Sequence, residues 1–275
     1  MGRMSSVQPL QVTGLLPLPR PLMIGEVLDA AFRLFRAGLL RCLPYSGLVV
    51  LVLELPTLYS TFLFSGKRDV KLEFAAYLGA LLLTTALLGV ITLRLFAVSR
   101  GMRPRFRTEI ATALRRLPTA LIATIGALGF PLLFFVLFPL VSNVLPSMAF
   151  LVIALPLFWP AALFVVALPA FWCDGRGPFS SIVHSLRLSW RRSWRMVGAI
   201  FATACVIAVF YLVSAMLVAM LTPLLGRADL FLIATVSSML SLVVGAFGVP
   251  FVLAVLIVAY EDLKLRDLQR RGASR

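Results

Sequence analysis

Glu54 is the residue of this chain best placed to do chemistry. It is the one ionisable side chain in the apolar run from Leu43 to Phe64. A carboxyl at the centre of a membrane-crossing helix costs roughly 2.5–3.5 kcal/mol, so such groups turn toward a bundle interior or toward water. Pro56 follows two residues later. It lacks a backbone donor and leaves a carbonyl of the preceding turn without its usual partner. The combination suits a proton or cation relay, or a headgroup contact. It also suits a protonated Glu hydrogen-bonded to Tyr59, Ser60 or Thr61.

A second constellation is Trp190, Arg191, Arg192, Trp194 and Arg195. Two indoles four residues apart, with guanidiniums between and beside them, are the composition of an interfacial belt in which arginines snorkel to the headgroups. The same residues could form a pocket for phospholipid or isoprenoid-phosphate headgroups. Trp159, between Pro156 and Pro160, reads as packing at a bent helix. His184 is the single histidine. With no Cys/His/carboxylate cluster beside it, no metal site is expected. Cys42, Cys173 and Cys205 are widely spaced and read as structural thiols. The glycine-rich segment "GRGP" at 175–178 lacks the Gly-Lys-Ser/Thr of a phosphate-binding loop. No cofactor and no enzymatic activity are expected.

These residues are held by elements that composition identifies. The chain has 275 residues, of which 61% are hydrophobic and 13% charged, with mean hydropathy +1.01. A soluble domain carries about a quarter charged residues, so lipid must solvate much of this surface. A helix needs about 20 apolar residues to cross a bilayer. The runs Leu43–Phe64, Phe74–Leu93, Met196–Gly226 and Leu230–Tyr260 supply one span each. The uncharged stretch Leu117–Cys173 breaks at Ser142, Asn143, Pro146 and Ser147 into two more. The expected fold is therefore all-α: a polytopic integral membrane protein with six transmembrane helices. Twenty-two of the 26 Lys and Arg residues fall before the first span, in alternate loops, or after the last. The positive-inside rule then places both termini in the cytoplasm, here of a bacterial inner membrane. Membrane phospholipids are the expected partners of that charge. Nucleic acid is not, because no recognition motif accompanies the +15 net charge. Residues 1–20 have no continuous apolar core of a cleavable signal and read as a flexible segment, with 21–263 the membrane domain and 264–275 a basic tail.

Each inner segment carries a proline followed by an amphipathic stretch. Pro21 precedes Ile24, Val27, Leu28, Ala31, Phe32 and Phe35 on one stripe, with Glu26, Asp29, Arg33 and Arg36 opposite. Pro104 precedes Phe106, Ile110, Leu114 and Leu117. Pro178 precedes Phe179, Ile182, Val183, Leu186 and Trp190. Proline suits a first helical turn, and a short helix with an apolar stripe and arginines lies in the interface plane. The expected unit is interfacial helix, span, outer turn, span, occurring as three parallel pseudo-repeats. After the last span, Asp262 with Arg266 and Asp267 with Arg271 form i,i+4 pairs on a solvated continuation of the helix.

Three segments carry a family resemblance: "RPLMIGEVLDAAFRLFR" at 20–36, "GPFSSIVHSLRLSWRRSWRMVGAI" at 177–200 and "YEDLKLRDLQRR" at 260–271. Together they resemble the signatures of the glycerophosphodiester phosphodiesterase membrane domain family and its free-standing relatives. The resemblance implies a six-span membrane module without the catalytic barrel to which that domain is sometimes fused. In this chain Glu261 and Asp262 stand together after one aromatic, Tyr260, a departure from the closing motif. Two function classes follow: a non-enzymatic module that binds lipid or scaffolds a membrane partner or second copy, and a small transporter or permease subunit using Glu54.

Overall fold

The structure, a computed structural model, describes residues 16, 18, 20–62, 70–102, 106–125, 165–190, 193–225 and 230–273. Its elements are helices: α1 (Ile24–Phe62), α2 (Val70–Ser99), α3 (Phe106–Arg115), α4 (Ala167–Asp174), α5 (Pro178–Trp190), α6 (Ser193–Leu225) and α7 (Leu230–Ala273). A further helical run, 117–125, follows α3 after a turn at Arg116. Four helices are long and apolar enough to cross a membrane, over Ile24–Leu55, Phe74–Ser99, Ser193–Met220 and Val236–Arg271. The two further spans expected between Leu117 and Cys173 fall largely on 126–164, outside the described residues.

Local chemistry sets several helix ends. Glu26 accepts from the Met23 N–H at 2.8 Å, a capping-box contact that satisfies a donor at the start of α1. α2 ends at Gly101, which adopts the left-handed conformation at φ 69°. There Met102 N–H bonds Ala97 C=O at 2.8 Å and Gly101 N–H bonds Val98 C=O at 3.0 Å, the paired closure of a Schellman end. α4 ends at Gly175, which is also left-handed, at φ 67°. α5 opens on Pro178, where the missing donor costs nothing.

The first expected interfacial helix is not a separate element. Residues from Ile24 onward and the first span form one 39-residue helix, and neither Pro44 nor Pro56 ends it. Between Phe35 and Leu43 the sequence offers no breaker, and Val27, Ala31 and Leu34 are already buried against the bundle. Those contacts hold the amphipathic stretch in line with the span. α3 and α5 are separate short helices, as expected, and each exposes part of its apolar stripe, while Ile110 of α3 packs on the core and Ile182 and Leu186 of α5 are half-buried. Phe106 and Leu114 of α3 are exposed, while Glu109 and Ala113 are buried. Phe179, Val183 and Trp190 of α5 are exposed, while Ser181, Ser185 and Ser189 pack inward at i,i+4 spacing. Small side chains allow close approach between helices, and the exposed part of the stripe is left for the surroundings.

α7 is the central element. It packs along α1, α6 and α2, and every residue from Leu253 to Leu263 is buried. Its 44 residues extend for about 66 Å at about 1.5 Å per residue, against a hydrocarbon core of about 30 Å. The basic tail continues the last helix through Ala273. Glycines set the closest approaches. A Cβ at Gly245 would meet Val50 Cγ2 at 2.7 Å, and one at Gly38 would meet Leu95 Cδ2 at 2.6 Å.

Candidate functional site

The ion pairs across helices among the described residues form three clusters, two of them where α1 begins or α7 ends and one farther along α1, at Arg41 and Tyr45. In the first, the backbone of Leu22 is clamped just before α1. Its N–H donates to Asp262 Oδ1 at 2.8 Å. Its carbonyl accepts from Arg266 Nη2 at 2.7 Å and from Arg195 Nη2. Arg266 Nε also bonds both Asp262 oxygens, at 3.1 and 2.9 Å, and Arg195 lies 3.9 Å from the same carboxylate. The expected solvated Asp262–Arg266 pair exists, but the Asp262 side chain is only 5% exposed. Leu16 and Leu18 are buried, and Leu16 N–H bonds Ser99 C=O at 3.0 Å.

The second cluster joins α1, α2 and α3. Arg94 pairs with Glu109 at 2.9 Å, with both side chains buried. Arg94 Nη1 donates to Arg41 C=O at 2.8 Å, and its guanidinium stacks over the Tyr45 ring at 4.6 Å. Arg94 thus finds a carboxylate, a carbonyl and a π face, which together compensate its desolvation.

The third joins α4, α5 and α7. Asp174 accepts from Tyr260 Oη at 2.7 Å and from Lys264 Nζ at 3.0 and 3.2 Å, with Arg176 at 3.7 Å. Burial opposes ionisation of Asp174, but the hydrogen bonds from Tyr260 and Lys264 and the charges of Lys264 and Arg176 outweigh it and hold the carboxyl below its usual range. His184 packs edge-on to Tyr260 at 6.4 Å. Burial, then the charge of Arg176, lowers its pKa and keeps the ring neutral.

A groove of about 840 Å³ lies between α5 and the end of α7. Val183, Leu186, Arg187 and Trp190 line one wall, and Asp267, Arg270 and Arg271 the other. Arg271 pairs with Asp267 at 2.6 Å. One aromatic anchor, an apolar floor and three guanidiniums offer stacking, chain contact and bidentate donors to phosphate together.

The expected tryptophan–arginine cluster is thus divided. Trp190 lines the groove. Trp194 is also exposed, on α6. Arg195 turns inward to the Leu22 clamp. Arg191 and Arg192 lie outside the described residues, as does Trp159. Glu54 is exposed on α1 between exposed Leu53 and Leu55. Cys42 is buried, Cys173 half-buried and Cys205 exposed, all three as thiols. Sequence reasoning passed over Arg94, Glu109 and Asp174 and placed Asp262 in solvent. The signal was available for Glu109 and Asp174: a single acid in an arginine-rich segment beside a span has many possible partners and a poor solvent, which favours a buried pair.

Compared with protein-family models, curated proteins and solved structures, the chain matches none.

Proposed function

We propose that this chain is a non-enzymatic module of the bacterial inner membrane that binds anionic phospholipid at its basic end. In this reading it has six spans, keeps both termini in the cytoplasm and repeats its helix-and-span unit in parallel. It is a free-standing relative of the glycerophosphodiester phosphodiesterase membrane domain. The observation that carries the reading is the α5–α7 groove. It places Arg187, Arg270 and Arg271 beside Trp190, on a helix that exposes part of its apolar stripe. An exposed apolar strip with arginines at its border suits a helix lying in the headgroup plane. Anionic headgroups would meet the guanidiniums while their chains meet Phe179 and Val183.

The polar side chains of the long helices support this reading over a transporter using Glu54. Thr85 donates to Leu81 C=O at 2.8 Å, Thr92 to Leu88 C=O at 2.7 Å and Thr203 to Ala199 C=O at 2.7 Å. Ser46 donates to Leu43 C=O at 3.0 Å. Each of these four bonds its own helix, while Thr84 Oγ1, in the middle of α2, is buried without a partner. A membrane partner or a second copy of the chain would meet the exposed face of α6, where Phe201, Phe210 and Met216 point outward.

Spin-labelled lipids test the proposal. In mixed bilayers the wild type should enrich phosphatidylglycerol over phosphatidylcholine at its boundary, and Arg187→Glu with Arg270→Glu should abolish that preference. An undiminished preference in the double variant would refute the groove as the headgroup site.

A further inference from the structure

A second feature lies deeper along the same helices. Between α1, α6 and α7 runs a crevice of about 330 Å³, lined by Phe32 and Phe35, Ile207 and Phe210, and Phe247 and Phe251. It meets a second apolar crevice of about 370 Å³, with which it shares Ile207, Val244 and Gly248. The first alone is roughly twice the roughly 150 Å³ of a dry apolar cavity known to take up benzene. Water has no polar partners on the first crevice's walls. An unfilled void would forfeit the dispersion contacts of every lining atom.

The three helices around it are all of membrane-crossing length and composition, so hydrocarbon is the medium at its mouth. Gly248 gives a second, independent observation. Glycine weakens a helix interior relative to alanine; Gly38, Gly89 and Gly245 have a packing reason, whereas Gly25, Gly47, Gly79 and Gly248 have none within 4 Å, and of these four Gly248 is the one that borders both crevices. Cβ atoms at Gly38, Gly89 and Gly245 would strike Leu95, Trp172 and Val50 at 2.6, 2.5 and 2.7 Å. A Cβ at Gly248 would meet nothing within 4 Å. Gly248 borders both crevices, so its missing side chain keeps the trough open and serves no helix contact.

We propose that the trough between α1, α6 and α7 holds one acyl chain of a membrane phospholipid, with Gly248 as the opening that admits it. The site does not rest on the α5–α7 groove. From Phe251 to Asp267 is about 24 Å along α7, so the two surfaces bind different parts of the bilayer or different lipids.

The test is retention of phospholipid by the full chain. Wild type purified in detergent should carry one phospholipid per chain by native mass spectrometry, and its melting temperature should rise when phospholipid is added back. Gly248→Leu should carry none and melt at the same temperature with or without phospholipid. Without lipid it should be at least as stable as wild type, because the new side chain enters open space. Ile207→Trp, from the opposite wall, should act in the same way and guards against an idiosyncratic effect at Gly248. Retention equal to wild type in both variants, or an undiminished lipid response, would overturn the proposal. Arg187→Glu with Arg270→Glu separates the two sites. If that pair loses the retained phospholipid while Gly248→Leu keeps it, the lipid sits in the groove and the trough is ordinary boundary surface.

Discussion

Asp262→Asn is the sharpest probe of how the basic end is closed. The carboxylate holds the Leu22 N–H at 2.8 Å and takes two contacts from Arg266 Nε, with Arg195 at 3.9 Å. Asn keeps one acceptor oxygen, loses the other and removes the charge. A hydrogen bond to a charged group contributes about 1.5–3 kcal/mol. The Arg195 attraction adds little, because that side chain is 34% exposed and solvent screens it. The expected loss is about 2–3 kcal/mol, falling on the Leu22 clamp. At about 1.4 kcal/mol per factor of ten, opening of the segment before α1 should become roughly 30- to 140-fold more frequent. Hydrogen exchange of the peptide covering 16–28 reads this directly. Asp267→Asn is the control, since its pair with Arg271 is exposed and surface pairs contribute little. Unchanged exchange at Leu22 in Asp262→Asn, or an equal change in the control, would show that the segment is held by something else.

Two further outcomes follow from the other clusters. Glu109→Gln should lower stability by about 3–5 kcal/mol because it leaves Arg94 buried without its counter-charge, and Arg94→Met with Glu109→Met should recover most of that. Thermal melts in one detergent check both, and equal losses in the single and double variants would contradict the pair's role. Stability should also fall with falling pH at this end. The folded-state pKa values of His184 and Asp174 are lowered from 6.5 and 3.8. The unfolded chain therefore binds more protons first below 6.5 and again below 3.8, and each contribution is present above those values and lost beneath them. His184→Gln should flatten the first part of the pH–stability curve and Asp174→Asn the second.

The long apolar runs made four helices legible, because a bilayer imposes one length and one backbone solution on any segment that crosses it. Helix separation was harder to read. Pro21 and the arginine spacing at 24–36 suggested a separate element, yet Val27, Ala31 and Leu34 pack on the bundle and extend the span. Helical periodicity finds an apolar stripe, but it does not say whether protein or lipid receives it. That is why Leu114 and Val183 were grouped correctly while the inward faces proved to be Glu109–Ala113 and Ser181–Ser185–Ser189. The groove was half legible through Trp190. Its other wall, Arg270 and Arg271, was assigned to a tail, because nothing in sequence spacing brings residues eighty apart together.

The distribution of polarity along the helices connects these results. Charge is buried where Arg94 meets Glu109, where Asp174 meets Lys264, and where Asp262 meets Arg195 and the backbone of Leu22. Along the membrane-crossing helices Thr85, Thr92 and Thr203 bond their own backbones, Thr84 Oγ1 is buried without a partner, and the first crevice is walled by Phe, Ile and Val. A transporter needs the reverse arrangement, with unsatisfied polar groups near the midplane and a path that reaches them. Glu54 is exposed, and no cavity lined by it occurs among the described residues. An apolar trough in mid-helix below a cationic, tryptophan-bearing groove instead follows the order of a phospholipid, chain inside and phosphate outside. That parallel between the polarity of the protein and that of its solvent is the physical reason to look for lipid at both sites.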